Sequence, residues 1–187
     1  MFLYIIIAIL TLNVVYGLFF WLRIHASRHV RITTSAANPV CVIICAKNEA
    51  AQLLVNLPHV LTQLYPGPDN KPNYEVVVID DGSTDGTIDV LDKLKLEFSQ
   101  LVVVSISNRN SRGKKNALAI GLQAAKYDIL LMTDADCRPA SDNWLMLMTS
   151  VLDNGKEISA GYGGYYANKG LLNAFVRWET MHTYLQY

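Results

Sequence analysis

The sequence has no excess of charge of either sign. Its 187 residues include 16 lysines and arginines and 16 aspartates and glutamates, so the formal net charge at pH 7 is zero. Nucleic-acid-binding domains usually carry a clustered basic surface, and this balance gives that function no support. We therefore expect no nucleic-acid partner. The length is sufficient for one domain with a full hydrophobic core.

Cysteine is scarce, and its spacing does not suggest a disulfide framework. The three cysteines are Cys41, Cys45 and Cys137, and they form no C-x-x-C pair. An odd number of separated cysteines favours reduced thiols, and the absence of a nearby histidine argues against a zinc site. Cys41 and Cys45 lie four residues apart in a strand-like run, so we expect them on the same face of a sheet.

Glycine-rich phosphate-binding motifs are also missing. The first predicted strand is followed by "CAKNE" rather than G-x-G-x-x-G, which argues against a dinucleotide-dependent dehydrogenase. No Walker pattern occurs, so a P-loop is excluded as well. A sugar nucleotidyltransferase would need a glycine-rich loop with a basic residue at this point, and "CAKNE" is not one.

The first 22 residues lack charge altogether. Met1–Leu22 is apolar over the length that a helix needs to cross a bilayer. A signal peptide would have basic residues before a shorter apolar run, whereas Arg23, Arg28 and Arg31 follow this one. By the positive-inside rule the basic flank is cytoplasmic. We expect a transmembrane helix, a basic juxtamembrane linker over 23–38, and a catalytic part on the cytoplasmic side of a bacterial inner membrane.

After the linker, short β-like runs alternate with longer helical runs. The predicted strands are 40–44, 74–80, 101–107 and 128–134, and the predicted helices are 49–64, 87–98 and 114–126. This alternation predicts an α/β fold with a mainly parallel sheet and helices on both faces. Pro58 is a possible break or kink in the first of these helices. Because ligands of such sheets bind beyond the carboxyl ends of the strands, the polar motifs that follow them should form one site.

The motif "DDGSTDGT" (80–87) follows the second predicted strand. Neighbouring residues of an extended chain point to opposite sides, so only one of Asp80 and Asp81 should face the site. A carboxylate there can accept a hydrogen bond from a nucleobase. The alternative is structural, because Gly82 suits a tight turn and Ser83, Thr84 or Asp85 can cap the next helix.

Lys114 stands at the start of the third predicted helix of the sheet region. Backbone N–H groups at a helix N-terminus together with a cation suit a phosphate, and Arg109 and Arg112 add positive charge nearby. The alternative is a solvated surface lysine.

The pair Asp134 and Asp136 ends the fourth predicted strand, in the stretch "TDADC". If the chain stays extended there, both carboxylates point to the same side and repel each other. A divalent cation relieves that repulsion, and hard oxygen ligands favour Mg²⁺ or Mn²⁺. The alternative is an exposed turn with helix-capping aspartates.

Four stretches taken together resemble the family 2 glycosyltransferases, which have the GT-A fold: "VCVIICAKNEA", "YEVVVIDDGSTDGT", "RGKKNALAIGL" and "ILLMTDADC". The resemblance covers residues 39 to 165. It implies a nucleotide site formed by Ala46, Glu49, Asp81, Lys114 and Asp134. It also implies a D-x-D pair, Asp134 and Asp136, with Asp136 binding Mg²⁺ or Mn²⁺ at the diphosphate. Lys47 stands where many family members have a tyrosine.

The resemblance implies transfer of a sugar from a UDP- or GDP-linked donor to a glycan or lipid acceptor, with inversion at the anomeric carbon. Residues 39–187 are then the nucleotide-sugar-binding part of a truncated GT-A domain. The acidic residues after Asp136 are Asp142, Asp153, Glu157 and Glu179. Glu179 lies in an apolar-aromatic helical stretch that suits a membrane surface, so we expect the general base beyond Tyr187. The alternative function is a nucleotide-binding module without turnover.

Overall fold

The computed structural model describes residues 1–26, 38–107, 113–152 and 156–186. The elements in chain order are α1 (Phe2–Ala26), β1 (Val40–Ala46), α2 (Ala50–Leu61), β2 (Tyr74–Asp80), α3 (Thr87–Glu97), β3 (Leu101–Ser105), α4 (Lys114–Ala124), β4 (Ile129–Asp134), α5 (Trp144–Ser150) and α6 (Leu171–Gln186). The chain forms two compact units. One combines residues 1–31 with 158–187, and the other, the sheet unit, contains residues 32–157.

The four strands of the sheet unit form one parallel sheet with the order β3-β2-β1-β4. The strands end nearly level with one another. Ala46 pairs with Asp80 across β1 and β2, and Cys45 pairs with Asp134 across β1 and β4. The predicted parallel α/β fold is confirmed, and the polar residues that follow β1, β2 and β4 come together at one edge.

The sheet has a hydrophobic core on each face, which is why its strands read as almost continuous apolar runs. On one face Val42, Val76 and Val78 pack with buried residues of α2, α3 and α5. On the other face Cys41 and Ile43 lie among the residues that pack with α4. Cys45 packs against this second cluster, so the two cysteines of β1 share a face as predicted. Burial of each such valine or isoleucine side chain stabilises the folded state by roughly 1.5–3 kcal/mol.

Gly121 lets α4 lie unusually close to the sheet. A Cβ atom at this position would lie 2.6 Å from Ile79 Cδ1 and 2.8 Å from Ile43 Cγ2, both of which are buried. Any larger residue would have to displace these side chains or lift the helix. Close packing at Gly121 therefore fixes α4, and with it the start of the helix at the edge of the sheet.

Three local expectations differ in detail from the structure. Pro58 does not break α2, which continues to Leu61. The strand predicted over 101–107 ends at Ser105. The chain does not stay extended through the D-x-D pair, because β4 ends at Asp134 and the Cys137 N–H donates to the Asp134 carbonyl at 3.1 Å in a turn.

The other unit contains α1 and α6. The stretch Phe2–Arg23 of α1 is long and apolar enough to cross a membrane by length and composition. The Tyr16 hydroxyl of α1 lies 2.6 Å from Nε2 of His182 in α6, and Trp178 stacks on the same imidazole. Most of the predicted basic linker, including Arg28 and Arg31, lies outside the described residues.

Candidate active site

A cleft of about 290 Å³ lies at the carboxyl ends of β1, β2 and β4. Its lining residues are Cys45, Ala46, Lys47, Glu49, Asp81, Lys114, Ala117, Asp134, Ala135 and Asp136. The volume is near the lower end of the range for small-molecule sites, roughly 300–1,000 Å³. All six residues that the family resemblance assigns to the nucleotide and the metal line this one cleft, because the parallel topology brings the ends of these strands together.

The loops after β1 and β2 are joined by hydrogen bonds. The Asn48 N–H donates to Ser83 Oγ at 2.9 Å, and the Thr84 N–H donates to Asn48 Oδ1 at 2.8 Å. Asn48 has a φ of 56°, a left-handed conformation that asparagine tolerates better than most residues. The Glu49 N–H donates to Thr87 Oγ1 at 3.0 Å. These bonds hold Glu49 in a defined position at the cleft.

Asp85 connects the beginnings of two helices. Its carboxylate accepts hydrogen bonds from the N–H of Ala50 at 3.2 Å and of Thr87 at 3.0 Å, which are the first residues of α2 and α3. The Thr87 hydroxyl also donates to it, and this bond is the main reason that the pKa of Asp85 is lowered. Of the three capping candidates in this loop, Asp85 is therefore the one that holds a first-turn N–H of α3.

The two adjacent aspartates at the end of β2 have different roles. Asp80 turns back and accepts the Ser83 N–H at 3.1 Å. Asp81 lines the cleft although its side chain is only 7% exposed. Its carboxylate accepts the Gly113 N–H at 3.0 and 3.1 Å and lies 3.4 Å from Lys47 Nζ. One carboxylate of the pair thus reaches the site, in agreement with the alternation of an extended chain.

Lys114 forms an ion pair with the first aspartate of the D-x-D motif. Its Nζ lies 2.8 Å from Asp134 Oδ1, and this hydrogen bond raises the pKa of Lys114. Both side chains are well exposed, at 75% and 57%. The two residues are 20 positions apart, so nothing in the local sequence of the motif indicates this partner. Arg109 and Arg112 lie outside the described residues.

The cleft has the composition of a divalent-cation site that needs further ligands. Four carboxylates and two ammonium groups line it, which leaves an excess of two negative charges. Within the described residues no group of three or more His, Cys, Asp and Glu side chains could hold a metal ion. Asp134 and Asp136 would therefore supply two ligands, with water and phosphate oxygens completing the shell, as is normal for Mg²⁺. The residues present fit Mg²⁺ or Mn²⁺.

Cys45 lines the cleft, although the sequence did not single it out as a site residue. Burial raises the pKa of its thiol above the ordinary value. Residues that alternate along β1 share a face, so Cys45 lies on the α4 face with Cys41 and Ile43. This alternation is the sequence feature that could have identified Cys45 as a cleft residue.

Within the sheet unit, no described carboxylate side chain after Asp136 lines this cleft. Glu179 lies on α6 in the other unit, in a shallow cleft with Tyr162 and Tyr184, and it accepts a hydrogen bond from the Thr183 hydroxyl at 3.3 Å. Asp153 lies outside the described residues.

The chain is similar to other proteins in sequence. The sequence pattern of the family described as glycosyl transferase family 2 matches residues 41–185. A beta-monoglucosyldiacylglycerol synthase of Synechocystis sp. is 36% identical over 103 residues, which are 55% of this chain and 21% of the relative. An undecaprenyl-phosphate 4-deoxy-4-formamido-L-arabinose transferase of Aeromonas hydrophila is 39% identical over 99 residues, 52% of this chain and 28% of the relative. The chain thus spans about a quarter of the length of these relatives.

Two solved structures share the fold. A mannosyltransferase from Pyrobaculum calidifontis in complex with GDP-Man and Mn²⁺ has a TM-score of 0.57 and 28% identity, and the match covers 72% of this chain and 39% of that one. The TarS protein of S. aureus in complex with UDP-GlcNAc has a TM-score of 0.51 and 25% identity, over 62% of this chain and 31% of that one. The fold of the sheet unit is therefore GT-A-like.

Proposed function

Because the chain belongs to glycosyl transferase family 2, we propose that it is the donor-binding part of a membrane-anchored glycosyltransferase. The reaction is transfer of a sugar from a UDP- or GDP-linked donor to a glycan or lipid acceptor. One observation carries the proposal: Ala46, Glu49, Asp81, Lys114 and the D-x-D aspartates all line a single cleft at the carboxyl ends of parallel strands.

The nucleoside of the donor is assigned to the side of the cleft formed by Ala46, Glu49 and Asp81. Carboxylates there accept hydrogen bonds from the N–H groups of a base and the hydroxyls of a ribose. The hydrogen-bonded loops keep these acceptors in place before the ligand arrives, which lowers the cost of binding. Complexes of the similar structures with GDP-Man and UDP-GlcNAc support a nucleotide sugar as donor.

The diphosphate is assigned to the other side, between Lys114 and the D-x-D pair. Asp134 and Asp136 would hold Mg²⁺ or Mn²⁺, with Asp134 also near the ribose. The cation supplies positive charge that offsets the negative charge developing on the departing diphosphate. The excess of negative charge in the cleft supports this assignment, as does the Mn²⁺ in the complex of the similar mannosyltransferase.

The transfer itself is proposed to be a single displacement. An acceptor hydroxyl, deprotonated by a general base, attacks the anomeric carbon on the face opposite the diphosphate, and the configuration inverts. Among the described residues of the sheet unit, no acidic residue after Asp136 lines the cleft, so none of them is assigned as the base. The names of the two relatives include diacylglycerol and undecaprenyl phosphate, which supports a lipid acceptor beside a glycan.

We assign Met1–Leu22 to the membrane, 23–38 to a basic linker on the cytoplasmic side, and 39–187 to the nucleotide-sugar-binding part. The exposed apolar surface of α1 supports the membrane assignment. The undecaprenyl phosphate in the name of the Aeromonas relative supports a membrane location.

Calorimetric titration of the detergent-solubilised chain with UDP and GDP, with and without Mn²⁺, tests the donor site. We expect one nucleotide to bind in a Mn²⁺-dependent manner and Asp136→Ala to abolish that dependence. Asp128→Ala is the matched control, because it removes an exposed carboxylate just before the opposite end of β4. Equal Mn²⁺-dependent binding by Asp136→Ala and the wild type would contradict the assignment.

A further inference from the structure

The ion pair between Lys114 and Asp134 joins two groups that the donor is expected to need separately. We propose that Lys114 is an exchangeable counterion. It holds Asp134 in the metal-free protein and turns to the donor diphosphate when a divalent cation takes Asp134. This inference rests on the proposed function and adds a regulation of the same cleft.

Because both side chains of the pair are exposed, breaking the pair costs little free energy. The side chains of Lys114 and Asp134 are 75% and 57% exposed, and ion pairs of this kind add little to stability. The second lysine–carboxylate pair of the cleft differs, because Asp81 is 7% exposed and also accepts two short contacts from the Gly113 N–H. Breaking the pair at Asp81 would take a partner from a buried carboxylate, whereas breaking the pair at Asp134 leaves an exposed carboxylate that water can solvate.

The position of Lys114 is not explained by the stability of its helix. It is the first residue of α4, whose first turn contains no acidic residue, and a cation there is opposed by the helix dipole. The helix itself is held by the close packing of Gly121 against Ile43 and Ile79. Only the lysine side chain has to move, and its long stem with three donors suits a change of partner.

The charges of the cleft explain why binding of the cation should release Lys114 to the diphosphate. Four carboxylates face two ammonium groups, so a diphosphate that arrives alone meets an excess of negative charge. A cation at Asp134 and Asp136 removes that excess and repels the Lys114 ammonium, which is then available to a phosphate oxygen. Binding of the cation and of the nucleotide must therefore strengthen each other, and by linkage the coupling is reciprocal.

The variant Lys114→Met tests whether Lys114 competes with the cation for Asp134 and also binds the nucleotide. In Mn²⁺ titrations without nucleotide, we expect the variant to bind Mn²⁺ about two- to fivefold more tightly, because the competing ammonium is gone. In titrations with UDP or GDP at saturating Mn²⁺, the same variant should bind the nucleotide more weakly. Lys115→Met removes an exposed lysine at the next position, outside the cleft, and should change neither result.

Lys114→Arg should restore both results because it keeps the positive charge, and thermal unfolding checks that all variants are folded. Unchanged Mn²⁺ affinity in folded Lys114→Met, or weaker Mn²⁺ binding, would overturn the counterion role while leaving the donor site in place. Failure of the wild type to bind either nucleotide with Mn²⁺ would overturn the proposed function and this inference together.

Discussion

The two sides of the cleft are built in different ways. The nucleoside side, formed by residues 46–50 and 80–87, is held by hydrogen bonds between its loops, and its residues Asp81 and Thr87 are buried. The phosphate side, formed by Lys114 and residues 134–136, is largely exposed, and among the described residues one ion pair, between Lys114 and Asp134, joins its helix to its strand.

Under the proposed function, this difference explains how one cleft would serve two kinds of ligand. A nucleoside is recognised by hydrogen bonds that demand fixed acceptors, so a preformed side lowers the cost of ordering. A cation and a diphosphate need ligands that exchange partners as charge enters, so weakly held side chains are suitable. The nucleoside side should therefore contribute to stability as well as binding, and the phosphate side to binding alone.

The largest expected effect is a difference in stability between two single variants, each of which removes one carboxylate from one side of the cleft. Asp81→Ala leaves the Gly113 N–H without its acceptor, and we expect it to lower the free energy of unfolding by about 1–3 kcal/mol. Asp134→Ala removes only an exposed pair and should change it by less than about 0.5 kcal/mol. Denaturant unfolding of both variants measures the difference, and calorimetry with nucleotide and Mn²⁺ should show weaker binding in both.

Equal losses of stability in the two variants would show that the sides of the cleft are not built differently. Asp128→Ala serves again as a control, with stability and binding like those of the wild type.

A smaller effect is expected at the link between the two loops of the nucleoside side. Thr87 is fully buried, accepts the Glu49 N–H and donates to Asp85. Thr87→Val keeps the shape but removes both bonds, so we expect a loss of about 1 kcal/mol in the free energy of unfolding and weaker nucleotide binding through displacement of Glu49.

Thr84→Val is the matched control, because Thr84 is exposed and its hydroxyl makes only a 3.4 Å contact with Asn48. Thr84→Val should be close to the wild type in its free energy of unfolding and in its nucleotide binding. A Thr87→Val protein with wild-type stability would mean that the loops are held by other contacts.

Much of the fold follows from the pattern of the chain. Apolar β-branched runs bounded by turn residues identify the four strands, and the bounds of β2 are those predicted. The site residues follow strand ends, so the rule for parallel sheets places Ala46, Asp81 and Asp136 at one edge without knowledge of any contact. The strand predicted over 101–107 is too long because Ser105 pairs with Asp80, the last residue of β2, and the ladder has no partner beyond it.

The links between the motifs could not be predicted in the same way. Two contacts join residues that follow or end different strands: the pair between Lys114 and Asp134, and the contact of Lys47 with Asp81. Local sequence gives the preference of Asp85 for a helix start, but not that it also holds the N–H of Ala50 at the start of α2. Such contacts depend on how closely the helices pack, which no single stretch of sequence encodes.

The smallest effect is a pH dependence at Asp85, where the nucleoside side is tied to both of its helices. The hydrogen bond from Thr87 lowers the pKa of Asp85 in the folded chain below its ordinary value of 3.8. Its contribution to stability is therefore complete above that ordinary value and is lost as the pH falls through the folded pKa. We expect the wild type to have a higher thermal unfolding midpoint than Asp85→Asn at pH 7, and the gap to narrow below about pH 4.

The measurement is a series of thermal unfolding curves for the two proteins from pH 7 to pH 3. Asp92→Asn, an exposed position in the middle of α3, should follow the wild type at every pH, since an exposed carboxylate away from the helix ends contributes little. A gap for Asp85→Asn that stays constant down to pH 3 would mean that the charge of this carboxylate does not hold the two helix starts. The contrast between a fixed nucleoside side and an adjustable phosphate side would then rest on the Asn48 and Thr87 bonds alone.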